Sequence, residues 1–359
     1  MVWTLEKILK GARSHGASDV HLVRGIAPAL RVRGEIRPIE GAPIDQENLE
    51  KLFESVLNAE QKKLFEKDWQ VCFSLHMEGI GRFRVSVYLH AGCPEFAIRL
   101  CETVIRSSDE LGLPDILDDL TRLPGGLILV TGPTGMGKTT TLNFMINAIN
   151  EQRRAKIITI EDPVEFAHDN IRSIVVQQEL LGDVRSYERA LRHVLRQDPD
   201  VIVVGEMRDL ETIETALIAA ETGHLVIATL HTPDSVQTIQ RIYSVFPAQQ
   251  QNSITVQLAN SLQAIIAQKL LPRADGKGRV LACEICRATN AVRNHIREHQ
   301  VHLLYSEMQT GRKHKMRTMD QVLLDLYQRG EISYDVALTN AHDPDYIRHK
   351  TGDSQPSVV

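Results

Sequence analysis

The 359 residues carry a net charge of −5, with 43% hydrophobic and 24% charged residues, a balance that excludes a fibrous or disordered chain. That charge gives no overall electrostatic footprint for nucleic acid, so no nucleic-acid partner is expected. No apolar run nears the roughly 20 residues of a spanning helix, the start Met1-Val-Trp-Thr-Leu-Glu-Lys-Ile8 has charges where a signal peptide needs its apolar core, and five cysteines without an export signal fit reduced thiols, so a cytosolic protein of two domains is expected.

Residues 1–105 alternate short strands and helices. A helix is expected over 4–15, and Gly16-Ala-Ser-Asp-Val-His-Leu22 turns the chain into a strand. The stretch 30–38 alternates apolar and charged residues around Gly34, as a hairpin does. One or two helices follow over 45–67, then strands over 71–76, 82–90 and 95–100. This pattern predicts an α+β domain with an antiparallel sheet. Period two puts Phe83, Val85, Val87 and Leu89 on one face and Arg82, Arg84 and Ser86 on the other, with Arg99 opposing Ile98 and Leu100. Paired strands would gather these guanidinium groups on one polar face, either solvated or turned toward phosphate. Residues 106–123 show no long period and read as a linker.

From Pro124 the pattern becomes near-continuous aliphatic strands alternating with helices, the signature of a parallel sheet covered on both faces. The first strand, 127–131, runs into Gly-Pro-Thr-Gly-Met-Gly-Lys-Thr at 132–139 and then a helical pattern, which is the context of a phosphate-binding loop. Gly132, Gly135 and Gly137 let the backbone bend around a phosphate, Lys138 reaches the β- and γ-phosphates, and Thr139 offers a hydroxyl to Mg²⁺. Gly132, Pro133, Thr134, Gly135, Met136, Gly137, Lys138, Thr139 and Thr140 are therefore the expected nucleotide contacts, with ATP and Mg²⁺ as ligands.

Parallel sheets bind ligands beyond the carboxyl ends of their strands. The strand 156–160 runs into Glu161-Asp162-Pro163-Val164-Glu165, the strand 201–204 into Gly205-Glu206-Met207-Arg208-Asp209, and the strand 225–230 into His231-Thr232. Glu165 and Glu206 are candidates for orienting water and for holding Mg²⁺, directly or through water, and His231 for contacting the γ-phosphate. The α/β domain is expected over 124–285, with helices over 249–270 and a strand over 279–285. A helical region follows over 286–350, with helices at 291–297, 301–310 and 319–329, and then a disordered tail, 351–359. Cys283-Glu-Ile-Cys286 has C-x-x-C spacing, but no second pair completes a zinc site, so a structural role is expected.

Four motifs together resemble the type IV pilus retraction ATPase (PilT) family within the secretion ATPase superfamily: the P-loop, the acidic box 159–165, a Walker B-like stretch 200–209, and a histidine box from Glu221-Thr-Gly-His224 to Leu230-His231-Thr232. The opening motif 16–22 extends the likeness over nearly the whole chain. The resemblance implies a PAS-like N-terminal domain, a RecA-like ATPase domain and a hexameric ring. In that ring Glu165 would activate water, Glu206 would be the Walker B glutamate, and His224 and His231 the histidine-box pair. Arg84 and Arg99, and more weakly Arg82, would face the phosphates. The implied partner is the inner-membrane pilus platform protein, with the ring peripheral to the cytoplasmic face and not inserted. Ala291-Val-Arg-Asn-His-Ile296 resembles the Ala-Ile-Arg-Asn-Leu-Ile motif of retraction ATPases with His295 replacing an apolar residue, and Met136 replaces the family's usual Ser. An accessory retraction ATPase, a non-catalytic nucleotide-binding ring component and, more remotely, a DNA translocator remain as alternatives.

Overall fold

Alternate burial along the strands organises the first unit of the computed structural model, which describes residues 3–32, 34–101 and 104–352. This unit takes in 1–104 together with 161–168 and 177–186. Its elements are α1 (Leu5–Ser14), β1 (Asp19–Leu22), β2 (Ala29–Val32), β3 (Glu35–Pro38), α2 (Gln46–Val56), α3 (Ala59–Asp68), β4 (Gln70–Met77), β5 (Gly81–His90) and β6 (Cys93–Leu100). The strands form one antiparallel sheet in the order β3-β2-β1-β6-β5-β4. Phe83, Val85 and Val87 are buried with Phe96 and Ile98, and they share one core with Ile8, Leu9 and Leu49 of the helices. Leu89, expected on that face, is 38% exposed, because β5 runs past the edge of the core there.

The second unit opens with α4 (Ser108–Leu111) and α5 (Ile116–Thr121), so the stretch read as a linker is partly helical. Leu113, Ile116, Leu117 and Leu120 are buried in the α/β core. Each such side chain contributes roughly 1.5–3 kcal/mol of burial, which holds 113–121 to this unit.

The chain continues through β7 (Gly126–Thr131), α6 (Lys138–Gln152), β8 (Lys156–Glu161), β9 (Ile174–Glu179), α7 (Tyr187–Val194), β10 (Val201–Val204), α8 (Leu210–Glu221), β11 (Leu225–Leu230), α9 (Ser235–Ser244), α10 (Ala248–Ser261), β12 (Leu262–Pro272) and β13 (Arg279–Arg287). The sheet order is β13-β12-β7-β11-β10-β8-β9, with β12, β7, β11, β10 and β8 parallel and β13 antiparallel to β12. The expected helix over 249–270 is corrected: it ends at Ser261, and 262–272 is a strand. Its apolar stretch lies between β7 and β13 and Ala264–Ala267 are buried, so the uninterrupted burial that looked helical is that of a central strand.

The helices α11 (Asn290–Arg297), α12 (Leu304–Thr310), α13 (Met319–Gln328), α14 (Tyr334–Asn340) and α15 (Pro344–Thr351) complete the unit. Leu323, Ile332, Ala337 and Ile347 form a further core with Leu271, Val280 and Ala282 of the β12–β13 hairpin. Thr351, expected in the disordered tail, ends α15; residues 353–359 of that tail lie outside the described residues. The architecture is the expected one: an antiparallel α+β unit, a parallel-sheet α/β core and C-terminal helices.

Candidate active site

Three adjacent strands deliver the site. Leu230 of β11 lies beside Thr131 of β7, and Val204 of β10 beside Ala228 of β11, so Gly132, Glu206 and His231 all emerge at the carboxyl edge of the sheet. The loop after β7 needs its glycines. Gly132 has φ +139°, and a Cβ there would meet the Gln268 carbonyl oxygen of β12 at 2.5 Å. Gly137 caps α6 in the left-handed region and, among the described residues, no side chain caps that helix, so its first N–H groups are left open toward the loop.

Lys138 is 8% exposed. Its ammonium donates to the carbonyls of Gly132 at 2.7 Å and Pro133 at 3.1 Å and lies 3.2 Å from His231 Nδ1. Burial lowers the pKa of Lys138, and the Glu206 charge opposes that shift. His231 Nε2 is 2.7 Å from Glu206 Oε1, while Glu206 Oε2 is 2.7 Å from Arg208 Nη2. Because Nδ1 faces an ammonium, it is the accepting nitrogen and Nε2–H donates to the carboxylate. Burial alone would raise the pKa of Glu206, but the Arg208 hydrogen bond, the imidazole N–H of His231 and the charges of Arg208 and Lys138 together bring it below the usual value. Lys138, His231 and Glu206 thus form one chain of charge and hydrogen bonds, with Thr134 Oγ1 3.4 Å from His231 Nδ1.

Met136 turns its sulfur toward β12, where it accepts the Leu270 N–H at 3.2 Å. The backbone amide remains that position's means of meeting a phosphate. Thr139 and Thr140 open α6, as the loop spacing requires. The residues fit a nucleoside triphosphate: a glycine cradle that a Cβ would fill, an uncapped helix N-terminus and a buried ammonium held by two backbone carbonyls and the His231 ring. Thr139 and Glu206 are the side chains here with the oxygen chemistry for Mg²⁺.

His224 is not brought to this site. It precedes β11, and six residues of strand, about 20 Å at ~3.3 Å each, separate it from His231. Its Nδ1 lies 3.0 Å from the Ala219 carbonyl and 3.2 Å from Thr222 Oγ1, at the C-terminus of α8. Two histidines that flank one parallel strand stand at opposite sheet edges. Arg208 was missed as a site residue, although Glu-x-Arg after an aliphatic strand was a signal for it.

Glu165 belongs to the first unit, where its Oε1 is 3.7 Å from Arg84 Nη1. In that unit Arg31, Asp19, Arg99, Arg84 and Ser74 lie opposite one another across five strands. Asp19 accepts from Arg99 at 3.0 Å and sits 3.9 Å from Arg31, so the polar face expected to gather guanidinium groups does so around one carboxylate. Arg82 lies two residues along the same face of β5, opposite His76.

Residues 1–351 match the family model described as Type II/IV secretion system protein. The chain is 41% identical to the type IV pilus retraction ATPase PilT of Pseudomonas aeruginosa, covering 95% of this chain and 99% of that one. It is 38% identical to the type IV pilus ATPase PilU of the same organism, over 96% and 90% of the two chains. Its fold is similar to that of a crystal structure of the pilus retraction motor PilT with bound ADP, with a TM-score of 0.90, 44% identity, and coverage of 97% and 99%. This chain belongs to the type II/IV secretion system protein family and, within it, to the PilT family of pilus retraction ATPases.

Proposed function

We propose that this chain is an ATPase motor that powers retraction of a type IV pilus, working as a homo-hexamer at the cytoplasmic face of the inner membrane against the pilus platform protein. The observation that carries the reading is full-length similarity to PilT, at 41% identity, in a chain that also keeps the P-loop and Glu206.

The loop 132–137 and the first turn of α6 bind the phosphates, with Lys138 moving its hydrogen bonds from the Gly132 and Pro133 carbonyls onto them. Thr139 and Glu206 would hold Mg²⁺, which when bound neutralises phosphate charge. His231 links Glu206 to Lys138 and so senses whether the ammonium has left the loop carbonyls. Glu165 orients the attacking water, and Arg84 and Arg99, offered from a neighbouring subunit of the ring, stabilise charge on the transferring phosphoryl group. No helix among the described residues is long and apolar enough to cross a membrane, which fits attachment through a partner.

Deleting the gene and imaging pili tests the reading. Excess unretracted pili, restored to normal by the wild-type gene and not by Lys138→Ala, are expected; loss of pili would instead mean an assembly motor. Similarity to PilU supports a second reading, a retraction ATPase that acts beside another motor. In that case retraction is weakened and not lost on deletion.

A further inference from the structure

Glu284 is a carboxylate that the catalytic reading does not use, and it is 3% exposed in the middle of β13. A buried carboxylate persists only where hydrogen bonds replace its lost hydration. Here they come from two helix N-termini. Oε1 accepts the backbone N–H of Ser235 at 2.9 Å and its hydroxyl at 2.7 Å, at the start of α9. Oε2 accepts the N–H of Met319 at 3.4 Å, at the start of α13. Both helix ends also favour a negative charge through their dipoles. Burial raises the pKa of Glu284, and the Ser235 hydrogen bonds work against that shift.

The position of Ser235 matters because only residues 231–234 separate it from the end of β11. His231 is the first of those four, and it bridges Lys138 and Glu206. The segment is also tied where Thr232 Oγ1 meets Thr238 Oγ1 at 2.7 Å. Held by β11 on one side and by Glu284 on the other, the histidine has little freedom to leave the bridge. The same carboxylate holds the first turn of α13, whose residues Met319, Val322, Leu323 and Leu326 belong to the C-terminal core.

We infer that Glu284 is a positioning residue: it fixes the His231 segment against the Lys138–Glu206 pair and ties that segment to the C-terminal helical layer, so that a change at the nucleotide site reaches α13. The inference rests on the proposed ATPase reading for its kinetic arm only.

Glu284→Gln is the informative change, since its amide accepts from only one of the two helix ends and turns an N–H₂ group toward the other, which breaks the link between them. The measurements on the full chain are steady-state ATP turnover and hydrogen exchange at 319–323 with and without ATP. Wild type is expected to change its protection at 319–323 when ATP binds. Glu284→Gln is expected to lose that change and to lower kcat about tenfold, with KM for ATP within twofold, because the P-loop itself is untouched. Ser235→Ala, which removes only the hydroxyl bond, is expected to show a smaller effect of the same kind and supplies the test if the first variant fails to fold. Wild-type kcat in these variants, or protection that still responds to ATP, overturns the inference. A wild-type protein without ATPase activity overturns the functional reading instead, and the exchange arm still decides the role of Glu284.

Discussion

Replacing Glu206 by Gln separates catalysis from folding more cleanly than any other single change at this site. The carboxylate accepts from Arg208 and His231, each at 2.7 Å. The glutamine keeps one acceptor oxygen and presents an N–H₂ group to the other donor. Buried charge-assisted bonds are worth about 1.5–3 kcal/mol each, but the Arg208 side chain is 69% and that of His231 43% exposed, so water screens both partners. The net loss of stability is then about 1 kcal/mol. That corresponds to a fall in Tm of about 2–4 °C for a unit of this size. Turnover, in contrast, is expected to drop about 10²–10³-fold, the scale on which losing one preorganised electrostatic group slows an enzyme. The pH dependence has a definite sign. The folded pKa of Glu206 lies below its ordinary value of 4.5, so its stabilisation is fully present above 4.5 and is lost as pH falls through the lowered folded value. The Tm difference between wild type and Glu206→Gln should therefore be constant near neutral pH and disappear in acid. Paired ATPase assays and thermal melts from pH 7 to pH 3 check both. Turnover within tenfold of wild type, or a Tm loss above 10 °C at pH 7, refutes the reasoning.

Gly132→Ala is expected to cost about 1–3 kcal/mol of backbone strain at φ +139° and a similar amount for crowding the Gln268 carbonyl, a backbone atom of a central strand that cannot move aside. Urea titration of the variant checks this, and a loss under 1 kcal/mol is the contrary result. Among the five cysteines only Cys72 is exposed. Burial pushes the Cys283 thiol up to about 12 and raises those of Cys93, Cys101 and Cys286 as well. A thiol reagent at pH 8 should label one cysteine rapidly in the native protein and all five in denaturant, and fast native labelling at Cys283 or Cys286 contradicts the described core.

The phosphate-binding loop was legible in the sequence because its signals are local. An aliphatic strand, three glycines and a lysine within eight residues, and an apolar helical stripe all lie within one stretch of chain. The same holds for the antiparallel strands of the first unit, whose period-two burial matches the structure from Phe83 to Val87. Sequence also placed Glu206 and His231 at strand ends, since a parallel sheet sends every carboxyl end to the same edge. It flagged Met136 and His295 as unusual, but the Leu270 N–H that meets the Met136 sulfur and the Glu307 carboxylate 3.3 Å from His295 come from residues far along the chain or on another helix.

Tertiary structure alone decided what those local signals could not carry. An unbroken apolar run reads alike as a buried helix or a central strand, so only pairing with β7 and β13 made 262–272 a strand. Two histidines seven residues apart read as one motif, until the length of β11 put His224 at the opposite edge from His231. The relay from Lys138 through His231 to Glu206 joins three strand ends separated by as many as 93 residues, and the Glu284 contacts join β13 to two helices. Which phosphate chemistry the chain supports is written in one loop and so is readable from consecutive residues; which side chains meet around it depends on strand order, which no local pattern encodes.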